Sequence, residues 1–320
     1  MITFLGDIAL LNSDITSQYV PEGDYMANCE YVCLKEPLKP TPGKIVVSSP
    51  YHDFKSIFGH NPVALDVANN HILDYGIEGF DQTIRTIHHS GISTVGDSDY
   101  WYNKSTCFLA YTLFNGTWEG KGIVSFSTER AHQDICKAKE KGAQCIVTIM
   151  HWGIENYSQP NDEQIKIGHW LIDEGVDLVI GHHPHCIQPI EQYKEHFIVY
   201  SLGNCIFPPF SVPSHFDEKG IAHRQYRFNW RRWNNKGLAV LFDEREKKLF
   251  RIDELYFKNN TLKCITKGVH LSKYLSMIHP RNRKGLFQLA LRKYWLFLVS
   301  NTFVDGKLFD LNALKAEITK

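Results

Sequence analysis

Several features that would assign this 320-residue chain to a familiar class are missing from it. Its 35 basic side chains are balanced by 35 acidic ones, so no net charge draws the whole molecule to nucleic acid or anionic lipid. Eight cysteines are too few for a disulfide scaffold in a chain this long, and none of them form a CxxC pair. Internal repeats, low-complexity tracts and recognisable nucleic-acid motifs are also absent. No nucleic-acid partner is therefore expected.

The first motif begins at Gly6, so we expect no leader segment before it. The cysteines are interpreted as free thiols of a reducing compartment. We therefore expect a cytoplasmic protein, or a chain from which an N-terminal anchor has been removed.

What the sequence does contain is typical of one large α/β domain with an extension. Hydrophobic residues make up 43% of the chain and charged residues 22%, which is enough for a substantial core. Apolar strand-like runs alternate with amphipathic stretches, as in strand-helix units. Helices are predicted over 77–91, 131–141 and 161–174, and Asn161 is expected to cap the third. Further strands are predicted over 92–95, 111–113, 123–126, 197–201, 238–242 and 249–257.

Four apolar runs end in side chains that bind metals. The first ends at Asp7, the second in Asn69-Asn70-His71, the third at His151 and the fourth in His182-His183-Pro184-His185. Ligand sites of α/β folds lie at the carboxyl ends of strands. One shared metal site therefore explains all four.

The histidine triplet carries the strongest signal. Alternate side chains of a strand point the same way, so His183 and His185 would share one face, about 7 Å apart. Pro184 removes a backbone donor and favours an extended residue before it, which predicts that the triplet ends a strand or follows it. Two imidazoles placed in this way suit one metal cluster.

Each candidate also has a purely structural interpretation. Asp7 could be a turn or N-cap residue, and Asn69 could cap a following helix. Asp74 could cap a helix that starts near Gly76, and His151 could belong to an aromatic-capped turn. The joint occurrence of these residue types at strand ends favours the ligand interpretation.

Six segments taken together resemble the capsule-synthesis CapA family, which looks like a branch of the calcineurin-like metallophosphoesterases. They follow the family's order and read Gly6-Asp7, Asn28-Cys29-Glu30, Ala68-Asn69-Asn70-His71-Ile72-Leu73-Asp74-Tyr75-Gly76, His151-Trp152-Gly153-Ile154-Glu155, Gly181-His182-His183-Pro184-His185 and Tyr200-Ser201-Leu202-Gly203-Asn204. The resemblance implies a four-layer αββα sandwich over residues 1–265, with a two-metal centre at the strand ends. Residues 266–320 would form a helical C-terminal extension.

The resemblance also implies roles for individual residues. The metal ligands would be Asp7, Glu30, Asn70, His151, His183 and His185. Glu30 occupies the acidic position that bridges the two metals, and His71 matches the proton donor to the leaving group. Asp74 is placed to orient that imidazole, and His182, where related enzymes have glycine, is assigned to substrate contact. The sequence departs from the wider superfamily after Asp7, where Asp-x-His is expected and Asp7-Ile8-Ala9 stands.

The chemistry requires such residues on independent grounds. Phosphoester cleavage needs a nucleophile at neutral pH and a counter-charge for the phosphoryl oxygens, and a metal pair about 3.5–4 Å apart supplies both. Oxygen and imidazole ligands without thiolates favour manganese or zinc, with iron also compatible, over calcium. The expected cofactor is two divalent metal ions.

Residues 205–236 interrupt the strand-helix pattern and are predicted to be an inserted substrate-recognition loop. Aromatic residues alternate there with Arg224, Arg227 and Arg231. A guanidinium recognises phosphate or carboxylate by two-point contact, and the rings can stack on a sugar or base. The alternative is a solvated hairpin whose rings pack inward while its arginines face water.

The tail contains a predicted apolar helix over 285–299, interrupted by Arg292 and Lys293. These charges and the short apolar length argue against a membrane span. We expect the helix to dock on the main domain or on a partner chain, with interfacial membrane contact as the alternative. The oligomeric state is left open.

These features predict a metal-dependent hydrolase that cleaves a phosphoester through a dinuclear centre, within a capsule or surface-polysaccharide pathway. Its partner would be a phosphorylated small molecule, or an anionic polymer or saccharide. One alternative is acyl or amide chemistry on a polyglutamate-type polymer. Another is a non-catalytic assembly protein that binds a polymer through residues 224–233.

Overall fold

The computed structural model describes residues 1–275 except 12–13, 98–99, 115–116 and 119–120, and for 117, 118 and 121 it describes the backbone alone. Twenty-one strands lie within these residues: β1 (Ile2–Ile8), β2 (Thr16–Ser17), β3 (Asp24–Cys29), β4 (Val32–Cys33), β5 (Ser48–Ser49), β6 (Ala64–Asp66), β7 (Ser93–Val95), β8 (Trp101–Asn103), β9 (Thr106–Thr112), β10 (Thr117–Trp118), β11 (Lys121–Gly122), β12 (Cys145–His151), β13 (Leu178–His182), β14 (Ile190–Tyr193), β15 (His196–Val199), β16 (Asn204–Ile206), β17 (Phe210–Phe216), β18 (Ala222–Phe228), β19 (Lys236–Asp243), β20 (Lys248–Lys258) and β21 (Thr261–Thr266). The helices are α1 (Phe54–Phe58), α2 (Gly76–His89), α3 (Thr128–Glu140) and α4 (Asp162–Asp173), with a short 3₁₀-helix at Leu271–Lys273.

Two large sheets carry the fold. In the first, the strands lie in the order β2-β21-β20-β19-β1-β3-β6-β7, and β16 also pairs with β1. In the second, the order is β14-β15-β13-β12-β9-β8. β1, β3 and β6 run parallel in the first sheet, as do β9, β12, β13 and β15 in the second. The carboxyl ends of these strands therefore meet at one edge of each sheet.

The two sheets face each other across a shared core. Side chains alternate along β1, so Ile2 and Phe4 point between the sheets, where they join Val147 of β12 in one buried cluster. Leu5 points to the opposite face and belongs to the cluster that includes buried side chains of α1 and α2. This alternation explains why both faces of the first sheet are apolar.

Helices α3 and α4 cover the outer face of the second sheet. Tyr111 of β9 donates a hydrogen bond to Asp134 of α3 at 3.1 Å, and Gly168 of α4 leaves just enough room for the Ile198 side chain of β15. With α1 and α2 on the far side of the first sheet, the elements form helix, sheet, sheet and helix layers. The predicted four-layer α/β sandwich is thus confirmed. The predicted helix over 285–299 lies outside the described residues, and the domain boundaries at 265 and 236 stay predictions.

The sequence-based helices agree with the structure to within a few residues. Helix α4 begins after Asn161, whose side chain accepts from the Gln164 backbone N–H at 2.8 Å while the Gln164 side chain accepts from the Asn161 N–H. The predicted cap at Asn161 is thus confirmed, and Gln164 completes a reciprocal capping box. Within the described residues, no helix combines the length and the apolar character that a bilayer crossing requires.

Of three local expectations, two were wrong and one was confirmed in part. Residues 123–126 form no strand beyond a bridge from Ser125 to Thr112, because the chain there turns into α3, which Ser127 caps. Asp74 does not cap α2, since its carboxylate is engaged elsewhere and Tyr75 stands at the N-cap without a side-chain bond. The strand predicted over 111–113 is the end of the longer β9.

Candidate metal centre

Polar side chains form a row across the carboxyl ends of both sheets. In the first sheet, Asp7 of β1 is in register with Asn28 of β3, which is in register with Asp66 of β6. In the second, His151 of β12 is in register with His182 of β13. All five are buried. Tertiary packing therefore brings carboxylates and imidazoles from distant parts of the chain to one place.

Gly6 allows β1 to deliver Asp7 to this edge. A Cβ at residue 6 would lie 2.0 Å from the carbonyl oxygen of Gly203, so only glycine permits the close approach. The Asp7 backbone N–H donates to that same carbonyl at 3.0 Å. Steric exclusion thus explains why glycine precedes Asp7 in the sequence motif.

Two groups of side chains place their donor atoms close enough to hold a metal ion. One consists of Asp7, Glu30 and His151, and the other of Glu30, His183 and His185, with all donor atoms of a group within 4.8 Å of one another. Glu30 belongs to both groups. A carboxylate shared in this way is the arrangement that a bridging ligand requires.

Two buried polar atoms of the donor groups lack a hydrogen-bond partner among the described residues: Oε1 of Glu30 and Nδ1 of His183. The Nε2 atoms of His185 and His151 lie 3.4 and 3.7 Å from Glu30 Oε1. Buried polar groups are rarely left unpaired, because desolvation without a partner is costly. Divalent cations fit these donors and would satisfy both atoms.

The two carboxyl groups at the centre differ in their pKa shifts. Burial raises the pKa of Asp7, but hydrogen bonds from His182 at 3.0 Å and His185 at 3.2 Å outweigh it and hold that pKa well below its usual range. Burial also raises the pKa of Glu30 well above its usual range, and the charge of Asp7 adds to the shift. The Asp7 carboxylate is therefore ionised, whereas burial opposes the ionisation of Glu30, and a bound cation would offset that cost.

The pKa values of the three imidazoles are also shifted in opposite directions. Burial lowers the pKa of His183 to about 3, and burial together with the neighbouring His183 lowers the pKa of His151 well below its usual range. Burial acts in the same direction on His185, but Glu30 and Asp7 raise its pKa to about 10. Neutral imidazole is the form that binds metals, so His151 and His183 are already in the required state.

The sequence predicted an extended backbone at the histidine triplet, but the backbone there is not extended. Strand β13 ends at His182, and His183 and His185 have φ values of 93° and 53°. The chain turns at this point, so the prediction that both imidazoles share one strand face was wrong. Their rings nevertheless lie 5.9 Å apart in the same donor group.

His182 and Asn70 line the centre in different ways. His182 is buried, and its Nδ1 lies 3.0 Å from Asp7, so it contacts that carboxylate; the substrate contact predicted for it stays a prediction. The side-chain oxygen of Asn70 lies 2.7 Å from His151 Nε2. Asn70 therefore adjoins the donor group of His151, where an amide ligand was predicted.

His71 and Asp74 form a hydrogen-bonded pair beside Asn70. The His71 Nδ1 lies 2.8 Å from Asp74 Oδ2, which also accepts from the Val47 backbone N–H at 2.7 Å. An ionised carboxylate only accepts, so Nδ1 carries the proton in this pair. The geometry fits the predicted orienting role of Asp74.

Aromatic rings flank the imidazoles on two sides. The ring of Phe114 lies 4.3 Å from that of His183. On the other side, Trp230 and Phe207 lie 5.0 and 5.2 Å from His185. These walls hold the imidazoles in place and lower the local dielectric, which strengthens electrostatic interactions at the centre.

The predicted substrate loop is a regular antiparallel ribbon of β17 and β18, here called the ribbon. Its Arg224 and Arg227 are exposed, as is Arg231 just beyond it, where the guanidinium lies 5.1 Å from the Trp233 ring. The intervening rings pack on one another and on residues of the site: Tyr226, Phe228 and Trp230 with Phe207 and Phe210. The ribbon thus has the hairpin geometry of the alternative interpretation, and its role in recognising a substrate stays a prediction.

Amide side chains that sequence reasoning had not selected hold the ligands in place. Asn28 donates to Asp7 Oδ1 at 2.9 Å and to Glu30 Oε2 at 3.3 Å. Asn204 lies 2.9 Å from His185 Nδ1, and Asn234 donates to the His185 carbonyl at 2.7 Å. Asn28 could have been found, because it lies two residues before Glu30 at the end of a strand. Asn234 has no comparable signal.

A model of the family described as "Bacterial capsule synthesis protein PGA_cap" matches residues 16–209, more than half of the chain. The chain belongs to this family. The resemblance to capsule-synthesis proteins is thereby confirmed. The matched span includes Glu30, Asn70 and the histidines of both donor groups, whereas Asp7 and the ribbon lie outside it.

Two curated relatives of the capsule-synthesis family are similar to this chain. The capsule biosynthesis protein CapA of Bacillus anthracis is 30% identical over 60% of this chain and 52% of its own length. The PGA biosynthesis protein CapA of Bacillus subtilis strain 168 is 30% identical over 64% of this chain and 62% of its own length. The chain thus spans less than two thirds of either relative. Among solved structures, the calcineurin-like phosphoesterase YfkN of Bacillus subtilis matches with a TM-score of 0.32 and 15% identity, over 68% of this chain and 66% of that one.

Proposed function

We propose that this chain is a metal-dependent hydrolase that cleaves a phosphoester through a dinuclear centre. The observation that carries the proposal is the pair of donor groups that share Glu30. Two divalent ions bound there would supply a nucleophile at neutral pH and a counter-charge for the phosphoryl oxygens. Asp7 and His151 would hold one ion and His183 and His185 the other, with Glu30 common to both.

Asn70 would complete the ligand set through its side-chain oxygen. Since the donors are oxygen and imidazole without thiolate, the set favours manganese or zinc, and iron is compatible with it. The row of amides behind the ligands fixes their direction, as hydrogen bonds to metal ligands commonly do.

His71 is proposed as the proton donor to the leaving oxygen. The Nδ1–H of His71 donates a hydrogen bond to Asp74, and this bond fixes the ring. The proton that passes to the leaving oxygen would therefore reside on Nε2. General acid catalysis of this kind is typically worth about 10²–10⁴-fold. Asp74 would act through His71 and would not touch the substrate.

The biological setting is proposed from the family. Relatives are described as capsule or PGA biosynthesis proteins, so we place the reaction in the synthesis of a capsule or surface polymer. The substrate would be a phosphorylated small molecule, or an anionic polymer or saccharide. The eight cysteines are free thiols, which agrees with a reducing, cytoplasmic location.

A second candidate function is acyl or amide chemistry on a polyglutamate-type polymer. It is favoured by the description of a Mycobacterium tuberculosis relative, 27% identical over 45% of this chain, as a probable polyglutamine synthesis accessory protein. The same centre would polarise a carbonyl instead of a phosphoryl group. A non-catalytic form of this candidate would bind the polymer through Arg224 and the residues that follow.

Dialysed protein assayed with p-nitrophenyl phosphate and bis-p-nitrophenyl phosphate tests the first proposal. We expect turnover to depend on added manganese or zinc and to disappear in His183→Ala. Parallel incubation with poly-γ-glutamate, analysed for chain length and for bound polymer, tests the second. Metal binding without turnover of either phosphate would reject the phosphoesterase, and a shortened or retained polymer would then favour the second candidate.

A further inference from the structure

Lys44 connects the ribbon with the His71–Asp74 pair. Its Nζ donates to the Asn70 carbonyl at 2.9 Å and lies 2.9 Å from Asp74 Oδ1. The Asp74 side chain is 0% exposed and that of Lys44 37% exposed, so the ammonium reaches from the surface to a buried carboxylate. No sequence motif pointed to this residue.

The two oxygens of the Asp74 carboxylate have different contacts. Oδ2 accepts from the Val47 backbone N–H and the His71 ring, and Oδ1 faces Lys44. Oδ1 is a buried carboxylate oxygen with no hydrogen-bond partner among the described residues, and the Lys44 ammonium 2.9 Å away compensates its charge. Leaving one member of a buried pair unsatisfied is costly, so the carboxylate would rotate or shift to recover a partner. Such a shift would turn the His71 ring.

The backbone of Lys44 is fixed by the ribbon. The Gly43 N–H donates to the Phe216 carbonyl at 2.9 Å, and the His215 N–H donates to the Lys44 carbonyl at 3.1 Å. Both partners belong to β17. The position of the ammonium is thus set by the same ribbon that carries Arg224 and Arg227.

We propose that Lys44 is a positioning residue for His71. By holding the Asp74 carboxylate and the Asn70 carbonyl, it sets the direction in which the imidazole presents Nε2 to the leaving oxygen. The inference rests on the proposed phosphoester chemistry and adds to it a residue outside the metal ligands. Displacement of a catalytic group by about 1 Å can cost about 10²-fold in rate, which is enough for such a contact to matter.

The test compares Lys44→Met, Lys44→Arg and His71→Ala on two metal-restored reactions. Phenyl phosphate has a poor leaving group that needs a proton, whereas p-nitrophenyl phosphate needs it much less. We expect Lys44→Met to lower kcat about 10- to 100-fold on phenyl phosphate, far less on p-nitrophenyl phosphate, and to leave KM unchanged. His71→Ala should show the same pattern, and Lys44→Arg should restore the ratio.

Lys39→Met is the matched control, because its ammonium contacts only the Glu218 carbonyl in the described structure and it lies outside the pair. It should behave as wild type on both substrates. An equal loss on both substrates in Lys44→Met, no loss, or failure of arginine to restore the ratio would overturn the proposal.

A second measurement needs no turnover. Ring ¹⁵N–¹H spectra of the metal-free protein should show a slowly exchanging His71 Nδ1 proton in wild type and Lys44→Arg, identified by its absence in His71→Ala. Lys44→Met should lose this signal, and an unchanged signal would contradict the positioning role. If wild type hydrolyses neither phosphate, the proposed function fails, and these spectra still decide the role of Lys44.

Discussion

The candidate metal centre and the ribbon adjoin each other and are built in opposite ways. At the centre, Asp7 and Glu30 are 0% exposed and are surrounded by imidazoles and amides. On the ribbon, Arg224 and Arg227 face solvent, while the rings between them pack toward His185 through Trp230. Charges interact strongly when buried and weakly when solvated. Chemistry is therefore expected to depend on the centre, and the ribbon is expected to tune binding.

The largest effect should come from Glu30→Gln, because Glu30 belongs to both donor groups. The substitution keeps the shape and removes the shared charge, so we expect both metal ions to be lost after dialysis. Turnover should fall about 10³-fold or more, since metal ions contribute several kcal/mol to such reactions. His183→Ala, which removes a ligand of one group only, should retain one ion. Metal analysis by mass spectrometry measures both.

Asp134→Asn provides the control for neutralising a buried carboxylate outside the centre. Asp134 is 4% exposed and is bonded to Tyr111 and Arg130. This variant should keep both ions even if it is less stable. Two ions retained by Glu30→Gln would show that Glu30 is not shared.

An intermediate effect is expected from Asn28→Ala, which leaves every proposed ligand in place. Asn28 donates to both carboxylates, so its loss frees them to rotate. Metal affinity should fall about 10- to 100-fold, as is typical when a partner of a ligand is removed. Competition with a chelator measures the affinity. Asn61→Ala, which removes an amide bonded to the Ser90 carbonyl, should leave it unchanged.

The smallest effect should come from the ribbon. Arg227→Ala should raise KM for an anionic polymer up to about fivefold, because an exposed ionic contact contributes at most about 1 kcal/mol. The kcat should stay the same, and added salt should reduce the difference between variant and wild type. Arg245→Ala, an exposed arginine on a turn, is the control. A large loss of kcat in Arg227→Ala would contradict the expectation that the ribbon affects binding and the centre affects chemistry.

The sequence was most informative where local pattern and tertiary placement coincide. Asp7 and His151 lie at the ends of apolar strands, so the pattern placed each of them at the carboxyl edge of its own sheet, and the packing of the two sheets brings them together. Helix α4 was located by its cap at Asn161. These signals lie within a few residues of the feature that they predict.

What escaped prediction depends on contacts between distant residues. Lys44 pairs with Asp74 and Asn234 donates to the His185 carbonyl, and neither pairing has a spacing that marks it in the sequence. The ribbon was predicted to be a substrate-recognition loop with a solvated hairpin as the alternative, because its alternation of rings and arginines suits both. Only burial distinguishes the two, and burial is a property of the folded chain.

The turn at the histidines has a consequence for how the chain tolerates change. His183 and His185 have left-handed backbone conformations, which cost more energy for a residue with a β-carbon than for glycine. Histidine persists there against a local conformational cost, so this loop gives up intrinsic stability in order to carry its imidazoles. In homologues that have lost the activity, we expect substitutions at these two positions to favour glycine or asparagine. Valine and isoleucine should not occur there.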